Sequence, residues 1–190
     1  NKENLQSETI VVFISDHGQA FKEHGYSGHL DCNYIETISI PVVFYLPEMI
    51  QKNFEMNNFI DNQNKNISIS DIIPTFLDIF RISKMEEIKV ISDSLLGKSL
   101  FSPIDSNRAI IICNHSDIAE SNVGLSLILN DMHYLYRTNV NPRVEELYNM
   151  KTDPNEKNNL IKDLSNTEKD KYRQYFGKWK ITNQILNTLF

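Results

Sequence analysis

The stretch Val11-Val12-Phe13-Ile14 is continuous, apolar and mostly β-branched, and a second run, Ile40-Pro41-Val42-Val43-Phe44-Tyr45-Leu46, ends at Pro47. Apolar runs of this length without alternation predict strands covered on both faces, as in the parallel sheets of α/β proteins. Ser15-Asp16-His17-Gly18 follows the first run directly, and Glu23-His24-Gly25-Tyr26-Ser27-Gly28-His29 comes a few polar residues later. Asp16 and His17 are therefore expected at the carboxyl end of a buried strand, where open α/β sheets bind ligands. Adjacent side chains inside a strand point to opposite faces, so the pair can converge only at a turn, and Gly18 permits a sharp one. A carboxylate and an imidazole together suit a hard or borderline divalent cation. Such a cation can hold a phosphoryl or sulfuryl oxygen and activate a nucleophile. The same letters also fit a plain turn in which Asp16 caps a helix, with His24 and His29 on an exposed loop. His29 is the better candidate of the two for a ligand oxygen, because Gly28 beside it permits close backbone approach.

At 190 residues the chain can bury one sizeable core with a small appended subdomain. A net charge of −6 and a pI near 5.4, with dispersed Lys and Arg, exclude nucleic acid as the main partner, since that surface needs clustered positive charge. Cys32 and Cys113 are too few for a disulfide framework and lack zinc-site spacing. No apolar stretch approaches the roughly 20 residues that span a bilayer, and Asn1-Lys2-Glu3-Asn4 resembles neither a signal peptide nor an anchor. The short polar lead into a central-looking strand reads as a piece of a longer polypeptide.

Between the two apolar runs lies a loop of Gly, His and charged residues, and residues 51–66 are Asn-rich, a surface excursion with local helix. Ile72, Ile73, Phe76, Leu77, Ile79 and Phe80 recur at helical spacing, with Ser70 or Asp71 as N-cap and Pro74 in the first turn. Beyond residue 104 the pattern changes to short strands: 108–113, 124–129 and 132–137, the last two joined by the turn pair Asn130-Asp131, with another at 145–149. Sequential strands of this kind predict an antiparallel sheet. Tyr172, Tyr175, Phe176, Trp179, Ile185, Leu186 and Leu189 predict an amphipathic terminal helix, broken near Gly177. His115 and His133 fall at a strand end and inside a strand, and read as structural or exposed.

Several strings together resemble the sulfatase family: Ser15-Asp16-His17-Gly18, Glu23-His24-Gly25, Ile40 to Pro47, Asp71-Ile72-Ile73-Pro74-Thr75-Phe76-Leu77-Asp78-Ile79 and Gly97-Lys98-Ser99-Leu100. The closing string Glu146-Leu147-Tyr148-Asn149 to Asp153-Pro154-Asn155-Glu156-Lys157-Asn158-Asn159-Leu160 resembles the family's C-terminal signature. The resemblance runs in family order over roughly residues 10 to 160 and is to the C-terminal portion of a sulfatase. It implies an alkaline-phosphatase-like α/β fold: residues 1–104 as part of a mostly parallel sheet with flanking helices and half of a metal site, and residues 105–190 as a small α+β subdomain.

By the same resemblance Asp16 and His17 are two ligands of one divalent metal, calcium in a typical sulfatase, with zinc, manganese or magnesium as alternatives. His29 stands thirteen positions after Asp16, where many sulfatases carry a lysine that touches the sulfate and related phosphoethanolamine transferases carry a histidine. His29 is thus expected to bind substrate and act in catalysis, and His24 either to protonate the leaving oxygen or to position the loop. The family nucleophile, in a Cys- or Ser-x-Pro-x-Arg motif, does not occur among these residues. The implied enzyme cleaves a sulfate or phosphate ester, of a glycan or lipid headgroup, in partnership with an N-terminal half of the same polypeptide. This chain is expected to be inactive alone. The alternatives are a membrane-anchored phosphoethanolamine or phosphoglycerol transferase and a non-catalytic glycan-binding domain. Relatives commonly work outside the cytoplasm, so the expected location is extracytoplasmic, with any membrane anchor outside this chain.

Overall fold

The computed structural model describes residues 5–30, 33–115, 123–137 and 144–189, with residues 115, 123 and 178–189 as backbone alone. Cys32 and the side chains of His115, Trp179, Ile185, Leu186 and Leu189 lie outside what is described. In chain order the elements are β1 (Val11–Ile14), β2 (Ala20–Phe21), β3 (Ser27–Gly28), α1 (Ile35–Ile38), β4 (Val42–Tyr45), α2 (Glu48–Gln51), α3 (Met56–Asp61), α4 (Ile72–Ile79) and α5 (Glu86–Ser94). They continue with β5 (Ile110–His115), β6 (Val123–Leu129), β7 (Met132–Arg137), β8 (Val144–Asn149) and α6 (Asn166–Leu189). The chain divides into two compact units, Asn1–Asp16 with Pro41–Arg108, and His17–Ile40 with Ala109–Phe190. The chain passes between the units near residue 108, and residues 17–40 belong to the second.

In the first unit β1 and β4 pair antiparallel, with Ile14 opposite Val42 and Val11 opposite Tyr45. The expectation of a mostly parallel sheet is corrected here: every sheet among the described residues is antiparallel. The reason is local. The segment after β1 returns so that β4 begins beside the end of β1, whereas a parallel pair needs a crossover back to the strand's start. The expectation of cover on both faces also fails within these residues. Val11, Phe13, Val43 and Tyr45 share one face and are 52%, 64%, 57% and 40% exposed.

The helix expected around 71–80 forms as α4. Its approach is a 3-10 turn, Ile69–Asp71, closed by a capping box in which Ser68 and Asp71 exchange side-chain-to-backbone bonds. Asp71 is fully buried and fully occupied. It accepts from the Ser68 and Lys98 backbone N–H groups and from the Arg108 guanidinium at 2.8 Å, while Thr75 Oγ1 donates to its carbonyl and accepts from the Leu100 N–H. The Asp71-to-Ile79 and Gly97-to-Leu100 strings are thereby two sides of one structural node.

The second unit is built on a four-stranded antiparallel meander, β5-β6-β7-β8. Asn130 adopts φ 55° in the β6–β7 turn, a left-handed conformation that Asn tolerates well. Alternation divides the sheet's side chains between two apolar clusters. Leu127, Tyr134 and Leu147 pack with Ile161 and with Phe176 of α6, where Tyr172 stacks on Tyr134. Leu135 and Tyr148 belong to a second cluster with Ala20 and Tyr34 of the 17–40 segment. Helix α6 continues through Gly177, so the expected break is absent.

Candidate functional site

Within the second unit, residues 17–40 form a histidine loop laid against the sheet. Strands β2 and β3 pair as a short ribbon, with Ala20 opposite Gly28 and Phe21 opposite Ser27, which puts His24 near its tip and His29 at its foot. Side chains of the meander and its flanks anchor the loop. Asn114 Nδ2 donates to the His29 carbonyl at 2.8 Å, and Lys157 Nζ donates to the Glu23 carbonyl at 2.9 Å. In the other direction Asn33 Nδ2 donates to the Gly124 carbonyl at 3.1 Å. Gly18 is required by close approach, since a Cβ there would stand 2.1 Å from the Glu36 carbonyl oxygen. Gly28 serves a different purpose from the one expected. It takes φ +93° with open space around the Cβ position, so backbone conformation and not close approach is what selects glycine.

His17 and His29 come together. Their rings stack with centroids 3.8 Å apart. His17 Nδ1 lies 2.7 Å from the Gly18 carbonyl, and a carbonyl can only accept, so Nδ1 carries the proton and the neutral ring's lone pair is on Nε2. That is the tautomer in which a ligating histidine is normally held by a second partner. His29 Nδ1 meets Gln19 Oε1 at 3.2 Å. Asp16 is exposed at the end of the first unit's share of the chain, with Ser15 Oγ 3.5 Å from its Oδ1. An imidazole in the metal-binding tautomer next in sequence to an exposed carboxylate fits a divalent cation by donor chemistry.

His24 is differently placed. Its Nδ1 contacts Glu36 Oε1 at 2.8 Å, its Nε2 contacts the Glu156 carbonyl at 3.1 Å, and its ring stacks on Tyr34 at 4.0 Å with an interplanar angle of 6°. Both ring nitrogens of His24 are thus engaged, one by a carboxylate and the other by a backbone carbonyl. Tyr34 in turn donates to Glu146 at 2.7 Å, and Arg137 reaches Glu146 at 3.1 Å and the Tyr26 hydroxyl. Burial and the Glu146 carboxylate push the Tyr34 hydroxyl well above its ordinary range, which keeps it a donor.

Two acids central to this arrangement, Glu36 and Glu156, went unassigned in the sequence, and His133, read there as structural or exposed, is fully buried. Glu156 is buried, takes φ 51°, accepts from His133 Nδ1 at 2.5 Å and caps α1 by accepting the Ile35 N–H at 2.9 Å. His24, Glu36 and Glu156 place ligand-type atoms within 4.8 Å of one another. Hydrogen bonds tie these groups together in the structure, His24 to Glu36 at 2.8 Å and to the Glu156 carbonyl at 3.1 Å.

Comparison with known proteins gives the class. Residues 1–82 match the Sulfatase family model. A Delta 4,5-hexuronate-2-O-sulfatase of Bacteroides thetaiotaomicron is 27% identical over 157 residues, covering 82% of this chain and 31% of that protein. Among solved structures, a sulfatase-like protein from Bacteroides thetaiotaomicron superposes with TM-score 0.65 at 23% identity, over 93% of this chain and 37% of the other. An enzyme solved with its substrate, D-glucosamine-2-N,6-O-disulfate, superposes with TM-score 0.59 at 22% identity, over 92% of this chain and 34% of the other.

The chain shares the fold of sulfatase structures, and its residues 1–82 carry the match to the sulfatase family model. It spans about a third of the length of the relatives it matches, in agreement with the resemblance to a C-terminal portion.

Proposed function

We propose that this chain supplies one wall of a metal-dependent sulfuric-ester hydrolase site, the rest of which lies in residues beyond it. The observation that carries the reading is the His17–His29 stack in a sulfatase-family sequence. One ring is held in a metal-binding tautomer, and the other stands beside it at a sequence position that the resemblance implies touches the sulfate. Asp16 and His17 would hold the divalent cation, calcium on family grounds. That cation would supply Lewis-acid stabilisation of charge on the group being transferred. His29 donates a hydrogen bond to a sulfuryl oxygen, and Gln19 fixes its ring. Both nitrogens of His24 are taken by loop-anchoring partners, so of its two expected roles the positioning one is favoured. The nucleophile and the remaining ligands come from elsewhere in the intact protein, and the exposed β1–β4 face is the surface that the intact protein covers.

The named activities of the relatives, a hexuronate 2-O-sulfatase and an enzyme on a disulfated glucosamine, favour a sulfated glycan as substrate. The reading is tested by assaying the intact protein on aryl sulfate and aryl phosphate esters. Hydrolysis of the sulfate, lost in His29→Ala, supports it. Preference for the phosphate, or full activity in His29→Ala, refutes it.

A further inference from the structure

The acid of the closing Asp-Pro-x-Glu string does more than end a turn. Glu156 sits with 1% exposure in a left-handed backbone conformation that a non-glycine residue adopts only at a cost, and both of its carboxylate oxygens and its carbonyl are engaged. One carboxylate oxygen meets His133, itself fully buried in β7. The other takes the Ile35 N–H, the first donor of α1. The Glu156 carbonyl takes His24 Nε2, and the next residue of α1 after Ile35, Glu36, takes His24 Nδ1. The two grips on His24 therefore come from the Glu156 backbone and from the helix that the Glu156 side chain caps.

His24 is near the tip of the β2–β3 ribbon, and His29 is the residue after β3. The ribbon is closed at its tip by Lys22 N–H to the Tyr26 carbonyl and Gly25 N–H to the Lys22 carbonyl. With the tip clamped and the ribbon paired, few backbone torsions remain to move the His29 ring against His17.

We propose that Glu156 is a positioning residue for His29: by locking His133, α1 and His24 into one buried clamp, it sets where the histidine loop presents His29 to substrate. The assignment of a substrate to His29 rests on the function proposed above, whereas the clamp itself does not. Glu156→Gln keeps the shape and the Ile35 acceptor but removes the charge that pairs with His133, and Glu156→Ala removes both.

Two readouts decide the matter. In the chain, ring nitrogen and proton NMR signals of His24 and His29 are expected to move in Glu156→Gln, while the backbone amides of Tyr172 and Phe176 in the other apolar cluster hold their positions. In the intact enzyme the same substitution is expected to raise KM for an aryl sulfate about tenfold, the lower end of what loss of a supporting partner costs, with a smaller change in kcat. Unmoved His29 ring signals, or an unchanged KM in a folded variant, overturn the proposal. If the wild-type intact protein hydrolyses neither sulfate nor phosphate esters, the ester reading fails, and the ring signals still decide the clamp.

Discussion

The two units differ in how completely they cover their apolar side chains. In the second, the sheet lies between two apolar clusters, Leu127, Tyr134, Leu147, Ile161 and Phe176 in one and Ala20, Tyr34, Leu135 and Tyr148 in the other, and its buried charges are paired. In the first, β1 and β4 make a two-stranded ribbon with a row of apolar side chains exposed. An isolated two-stranded ribbon is marginal in water, and a contiguous apolar face of this kind marks a surface meant to be covered. The difference teaches where the chain's self-sufficiency ends. The histidine loop is built on the unit that is complete, and Asp16 ends the stretch of the unit that is not.

The comparison breaks first at Glu156. Glu156→Ala leaves His133 buried without its partner and should destabilise by about 3–5 kcal/mol, the cost of removing one member of a buried pair, read by urea unfolding of the second unit. A smaller loss would mean that the clamp is not buried as described. Leu127→Ala, at a site with no exposure, should cost about 2–5 kcal/mol. Phe13→Ala on the open ribbon should change the stability of this chain by less than about 0.5 kcal/mol, but should destabilise the intact protein that covers it. Equal effects of Phe13→Ala in the two settings would remove the contrast between the units.

The smallest effect lies at the closing turn. The Asn158 and Lys157 backbone N–H groups hold the Asp153 carboxyl below its ordinary range. A depressed folded value means that the contribution is present above the unfolded value and is lost as pH falls through the folded one. An NMR titration should therefore place the Asp153 midpoint below about 3.9, the ordinary Asp value, and a midpoint at or above it would contradict the turn.

Periodicity carried the local elements whose apolar pattern matches what they bury. β7 stands at the residues read as a short strand and α6 at those read from helical spacing, and Asn130-Asp131 makes the expected hairpin. α5 was missed because it buries no residue: Val90 and Ile91 are 78% and 55% exposed, so its sequence carries no core-facing stripe. The parallel-sheet reading failed because an apolar run states that a strand wants cover, not which partner supplies it. In the site, His17 and His29 were each singled out by spacing and resemblance, whereas their ring stack was not foreseen. The Glu36–His24–Glu156–His133 clamp was not, because its partners are up to 132 residues apart and no local pattern links a buried acid to its histidine. Glu156 stood inside a recognised string, yet a motif names a residue without naming what it holds.

The most direct test of the account is metal analysis of the intact protein beside its Asp16→Ala and His17→Ala variants, with folding checked by the cooperativity of thermal unfolding. The account predicts about one divalent ion per wild-type chain at this site, as expected for ligands of a Lewis-acid centre, and its loss from both folded variants together with aryl sulfate hydrolysis. Full metal content and full activity in either variant would contradict it.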